Sequence, residues 1–143
     1  MANVELLASY WTIACGIPHT DSEYSPFDFR SRVESAARAG FKGFGIWHAD
    51  LEHVLKTRSL REMKQILDDN GILHIELEFL ADWFLEGERK RQSDVRKKLL
   101  LDAAEALGAH HVKVGLSVNL SDSMRFNEPS TKWPGFPFPI IDS

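Results

Sequence analysis

The chain has 143 residues, with 17 basic and 21 acidic side chains and a formal charge of −4. At 43% apolar and 27% charged it has a globular composition, which excludes a disordered chain. The mildly acidic balance argues against a nucleic-acid or anionic-membrane binder held by bulk charge.

A single domain with its own core is the expectation from this length. No apolar run approaches a membrane span. The first ten residues carry Glu5 and no basic segment, so they do not read as a signal peptide. Cys15 is the one cysteine. It excludes an internal disulfide, and a cytosolic protein is the default expectation.

The first strand is expected over residues 6–13, a run rich in aromatic and β-branched side chains. A polar stretch, 16–25, follows. A helix is then predicted with Ser25 as N-cap, Pro26 at the first helical position and Asp28 as a capping acid. Phe29, Val33, Ala36 and Ala37 form its apolar stripe, with Arg30, Arg32, Glu34 and Arg38 facing away. Gly40 stops it.

The unit then repeats. A short strand is predicted over 44–47. Ser59 and Glu62 form a capping box for a helix with Leu60, Met63, Ile66 and Leu67 inward, ended by Asn70 and Gly71. The third strand is expected over 73–79. A third helix is expected from Asp94, with Val95, Leu99, Ala103, Ala106 and Leu107 inward and Gly108 as its stop. The fourth strand is expected over 112–116. The stops Gly40, Gly71 and Gly108 are 31 and 37 residues apart, a spacing that suits β/α units. An α/β fold with a parallel sheet follows.

Strand chemistry favours part of a closed barrel over an open doubly wound sheet. His74, Glu76 and Glu78 alternate with Leu73, Ile75, Leu77 and Phe79. His111, Lys113 and Gly115 alternate with Val112, Val114 and Leu116. Central strands of a doubly wound sheet are usually apolar on both faces, whereas a barrel interior has a polar active-site end. Glu76 and Lys113 are placed to pair there. Residues 117–143, with four prolines and four aromatics, read as an irregular tail, so the division expected is 1–116 and 117–143.

Several residues are candidates for chemistry. His48, Asp50 and His53 lie within six residues and offer imidazole and carboxylate ligands. Their spacing matches no strong zinc motif, and a polar loop with His48 bonded to backbone is the plainer expectation. Glu78 closes the third strand, where a carboxylate can orient a substrate hydroxyl or act as a base, or can simply pair with Lys113 or His111. Asp82 follows it. Trp47, Trp83 and Phe79 can form an apolar wall against a sugar ring. Cys15 and His19 suggest a nucleophile and base, although a small buried hydrophobe is the plainer reading of Cys15. The basic residues Arg89, Lys90, Arg91, Arg96, Lys97 and Lys98 read as a solvated helix face. No nucleotide-binding loop is present.

Taken together, Ser25-Pro-Phe-Asp-Phe29, Ala36-Ala-Arg-Ala-Gly-Phe-Lys-Gly-Phe-Gly-Ile-Trp-His48, Asp69-Asn-Gly-Ile72, Glu76-Leu-Glu-Phe79 and Ala103-Ala-Glu-Ala-Leu-Gly-Ala-His-His-Val-Lys-Val-Gly115 resemble the N-terminal half of the sugar phosphate isomerase/epimerase family. The resemblance covers about residues 4–116. It implies a xylose isomerase-like TIM barrel and metal-assisted proton transfer on a sugar or hydroxy-ketone. It also implies a divalent ion (Mn, Mg, Co or Zn) held by residues of the later strands. No residue of this chain matches those ligand positions, so no metal ligand and no catalytic residue is assigned, and tight metal binding is not expected. The substrate-binding candidates are Trp47, His48, Asp50, Glu78 and Lys113. After Leu116 the likeness ends, which reads as a truncated, frameshifted or recombined product, inactive alone. The alternative is a small α/β binding module that self-associates, with a homodimer as the simplest form. Neither reading involves nucleic acid or membrane.

Overall fold

In the computed structural model, residues 4–16 and 23–116 are described. The predicted tail and His19 lie outside them. The elements in chain order are β1 (Leu7–Ala8), α1 (Tyr10–Ile13), α2 (Phe29–Arg38), β2 (Gly43–Trp47), α3 (His48–Val54), α4 (Leu60–Asp69), β3 (His74–Leu80), α5 (Gly87–Leu107) and β4 (His111–Val114). The four strands form one parallel sheet in the order β1-β2-β3-β4. The chain is therefore an α/β unit, as the alternation of patterns predicted. No helix among the described residues is long and apolar enough to cross a membrane.

One face of the sheet carries the core. Phe44 and Ile46 from β2 and Ile75, Leu77 and Leu80 from β3 meet Val33 and Ala36 from α2, Met63, Ile66 and Leu67 from α4, and Leu100, Ala103 and Leu107 from α5. Because side chains alternate along a strand, Gly45, Trp47, Glu76, Glu78, His111 and Lys113 fall on the opposite face. All the long helices thus cover one side and leave the other to polar and aromatic groups.

Several boundaries differ from the sequence reading. The apolar run 6–13 is strand only at Leu7–Ala8 and turns into α1 at Tyr10. Short apolar runs do not distinguish strand from helix by period. The N–H of Tyr10 is bound by the Glu78 carboxylate, not by a strand neighbour. The N-cap of α2 is Asp28, whose carboxylate accepts the Ser31 N–H, and not Ser25. Ser25 instead donates its hydroxyl to the Ala14 carbonyl at 2.6 Å.

Arg32, expected to face away, is only 3% exposed. The α5 helix begins seven residues before Asp94, at Gly87. Its inward set is Ser93, Leu100, Ala103 and Leu107, while Val95 is 72% exposed and Ala106 also faces out. The first half of α5 has no apolar stripe to read. The Ser93 hydroxyl, donating to the Ala81 carbonyl at 2.6 Å, anchors it, and ion pairs Arg91–Glu88, Lys90–Asp94 and Lys98–Asp102 lace its surface. Most of the basic run is the solvated face expected, but the Arg96 Nε is buried and without a partner.

Candidate functional site

Strand register assembles the site. Trp47 of β2 pairs with Glu78 of β3, and Glu78 pairs with Lys113 of β4. These three candidates form one row across the sheet near the carboxyl ends of its strands. The row beneath it is Gly45, Glu76 and His111. Parallel strands in register send paired side chains to the same face, so both rows line the side that the long helices leave open.

Lys113 ties the rows together. Its Nζ lies 2.8 Å from Glu76 Oε1 and 3.1 Å from Glu78 Oε2. His111 Nε2 is 3.0 Å from the other Glu76 oxygen. Burial works against the charge of Glu76, but the hydrogen bonds from Lys113 and His111 outweigh it and hold the carboxyl below its usual range. Burial likewise opposes the Lys113 charge, yet the bonds to Glu76 and Glu78 raise its pKa. Lys113 is thus a clamped ammonium. An ammonium has three N–H donors, and two are taken by carboxylates.

Glu78 is 3% exposed and both its oxygens are engaged. One accepts from Lys113 and the other accepts the Tyr10 N–H at 3.0 Å. This makes it a positioning group more than a free base: it holds the β1–α1 turn against β3 and sets the height of the ammonium. Gly45 makes room for it. A Cβ at that position would overlap the Glu78 carboxylate and lie 2.7 Å from the Tyr10 nitrogen.

An aromatic wall stands above this row. Trp47 is stacked on Phe79 with centroids 5.8 Å apart and an interplanar angle of 11°. Trp11 is 5.2 Å from Trp47 and 4.8 Å from Tyr10. The Trp47 indole N–H donates to a Glu23 oxygen at 3.2 Å, and the Tyr10 hydroxyl donates to the Glu23 carbonyl at 2.6 Å. Burial, then the nearby Asp50 carboxylate, raises the Tyr10 phenol well above its ordinary value. By alternation Phe79 falls with the apolar residues Ile75 and Leu77 of β3, yet it stands in the aromatic wall for which it was a candidate. The β3–β4 pairing shifts between Glu78 and Leu80, so Leu80 enters the core and Phe79 joins Trp47. Trp83, 41% exposed, packs edge-on against Phe84 and takes no part in the wall.

The remaining candidates point elsewhere. Residues 48–54 form α3 where a polar loop was expected, because Leu51 and Val54 reach the core. Asp50 is buried in an ion pair with Arg32 at 2.8 Å and accepts the Ser25 N–H at 2.9 Å. It is a fastener between α3, α2 and the turn before α2. His53 is stacked on Tyr24, centroids 4.0 Å apart. His48 is buried, and its Nδ1 has no partner, contrary to the expected bond to backbone. Burial, then the Arg96 charge, pulls its pKa from 6.5 to about 4. Asp82 pairs with Arg89 at 3.0 Å. Cys15, expected buried, is exposed.

Among the described residues no group of three metal-ligating side chains converges. Glu76 and Glu78 face the same space, but the Lys113 ammonium stands between them where a cation would sit. These residues do not fit the divalent ion that the family resemblance implies.

Tyr10, Trp11, Glu23 and Gly45 were not singled out from the sequence. The adjacent aromatics Tyr10 and Trp11 were visible, but within a run read as one strand. Only the turn at Ser9 brings them over β2. No family model matches the chain, and no curated protein matches it.

Proposed function

We propose that the chain forms an arc of a β/α barrel of the sugar phosphate isomerase/epimerase type, and that its open strand face binds a sugar or hydroxy-ketone. The barrel reading is supported by the strand order. A doubly wound sheet reverses its order at a switch point and carries helices on both faces. Here the order is sequential and the core lies on one side. Barrels of this kind build their sites at the carboxyl ends of the strands.

The observation that carries the ligand reading is the row Trp47–Glu78–Lys113. It sets a fixed ammonium beside a stacked indole, so a ligand oxygen meets a positioned donor while its C–H surface meets an aromatic face. In such a protein this face orients substrate for proton transfer next to a carbonyl.

Titration of the purified chain with ketoses, aldoses and dihydroxyacetone, followed by tryptophan fluorescence, tests the reading. Saturable binding is expected, and Trp47→Ala is expected to weaken it about tenfold or more. Absence of any saturable response from the folded chain overturns it.

One observation favours a second reading, a module that binds a second copy of itself. Val4 and Leu6 beside β1, and Val114 and Leu116 at β4, are exposed large apolar side chains at the two edges of the described sheet.

A further inference from the structure

The charge balance of the open face discriminates among sugars. Lys113 is its cation, and two carboxylates, Glu76 and Glu78, lie within 3.1 Å of the Lys113 Nζ. Two carboxylates and one ammonium together carry one net negative charge. The ammonium keeps a free N–H to donate but has no positive field left to offer an anion. The neighbouring surface is the stacked Trp47–Phe79 pair, which favours C–H faces and not charge.

Resting on the sugar-binding reading above, we infer that the ligand of this row is an uncharged polyhydroxylated carbonyl compound and not its phosphate ester. A hydroxyl or carbonyl oxygen takes the third Lys113 donor without disturbing either carboxylate. A phosphate brought to the same donor adds up to two negative charges beside two already there. Each such like-charge contact is unfavourable in a partly buried site. The selection is built into the fold, since Gly45 and the Tyr10 N–H hold Glu78 in place whether or not a ligand is present.

The test compares D-fructose with D-fructose 6-phosphate by isothermal titration or ligand-observed NMR. Both are measured against the full chain at low and high salt. The neutral ketose is expected to bind at least about tenfold tighter at about 0.05 M salt. The gap is expected to narrow at about 0.5 M salt, where charge is screened. Glu76→Gln removes one of the repelling charges and is expected to narrow the gap at low salt. Equal or tighter binding of the phosphate overturns this inference and leaves the sugar-binding reading standing. A neutral preference that ignores both salt and Glu76→Gln also overturns it, because charge is then not the cause. If the folded chain binds neither compound, this inference falls, and the sugar-binding reading falls with it when the aldoses and dihydroxyacetone also give no saturable response.

Discussion

His48 carries a titratable ring into a largely buried place. It is 8% exposed, its Nδ1 has no partner, and the Arg96 charge acts on it. Its pKa in the fold is about 4 against 6.5 when solvated. Between those values the unfolded chain binds the proton and the folded chain does not, so stability falls as the pH falls through that window. The full contribution is present above 6.5 and is lost toward 4. Lowering the pH from about 7 to about 5 is expected to cost about 2 kcal/mol through this group. Urea unfolding of the chain and of His48→Gln at both pH values checks it. The variant should lose that share of the pH dependence, and an identical dependence in both would exclude His48 as its source. Asp50, close by in sequence, shows the opposite solution for a buried ionisable group. It is paired with Arg32 and accepts the Ser25 N–H, so its buried oxygens have partners.

At the scale of elements, α4 is the most completely specified by local sequence. The Ser59 side chain accepts the Glu62 N–H, and the Glu62 carboxylate accepts the Ser59 N–H at 2.7 Å. The hydrogen bonds from Ser59 hold the Glu62 carboxyl below its usual range. Ser59→Ala removes one half of this reciprocal cap and is expected to cost about 1 kcal/mol. Denaturant midpoints measure it, and an unchanged midpoint would show that the cap contributes nothing in this context. The α5 helix is the contrast. Its end at Gly108, with φ of +72°, was legible because a left-handed residue there favours glycine. Its start was not, because Ser93 and surface ion pairs hold the first half, and neither leaves an apolar period.

At the scale of the whole molecule, the four-stranded sheet of the described residues has β1 and β4 at its margins. Parallel strand edges with exposed Val4, Leu6, Val114 and Leu116 beside them are sticky surfaces. The second reading therefore predicts association. Light scattering should give a mass above the 16.3 kDa of one chain as concentration rises through the micromolar range. Val114→Lys, which charges an edge position, should return the mass to that of one chain. A constant single-chain mass across that range removes the second reading and leaves the barrel-arc reading untouched. Association alone does not remove the sugar-binding reading either, since the two use different parts of the sheet, its edges and its open face.

Local chemistry determined the alternation of elements in this protein. Capping residues, glycine stops and a two-residue alternation act over a few positions, so three of the four strands and the α4 boundaries are written in neighbouring side chains. The same alternation marked Glu76, Glu78 and Lys113 as one face, and the expected Glu76–Lys113 pair is present at 2.8 Å. Tertiary structure decided which candidates meet. Trp47, Glu78 and Lys113 converge because strand register puts them in one row, and register depends on three separate strands packing against one core. His48 and Asp50 diverge because α3 turns them away, and α3 forms because Leu51 and Val54 find that same core. Tyr10 reaches Glu78 only through the space at Gly45, a contact spanning 68 residues of sequence. Pairings of that length depend on the packing of the whole sheet, which no window of neighbouring residues contains.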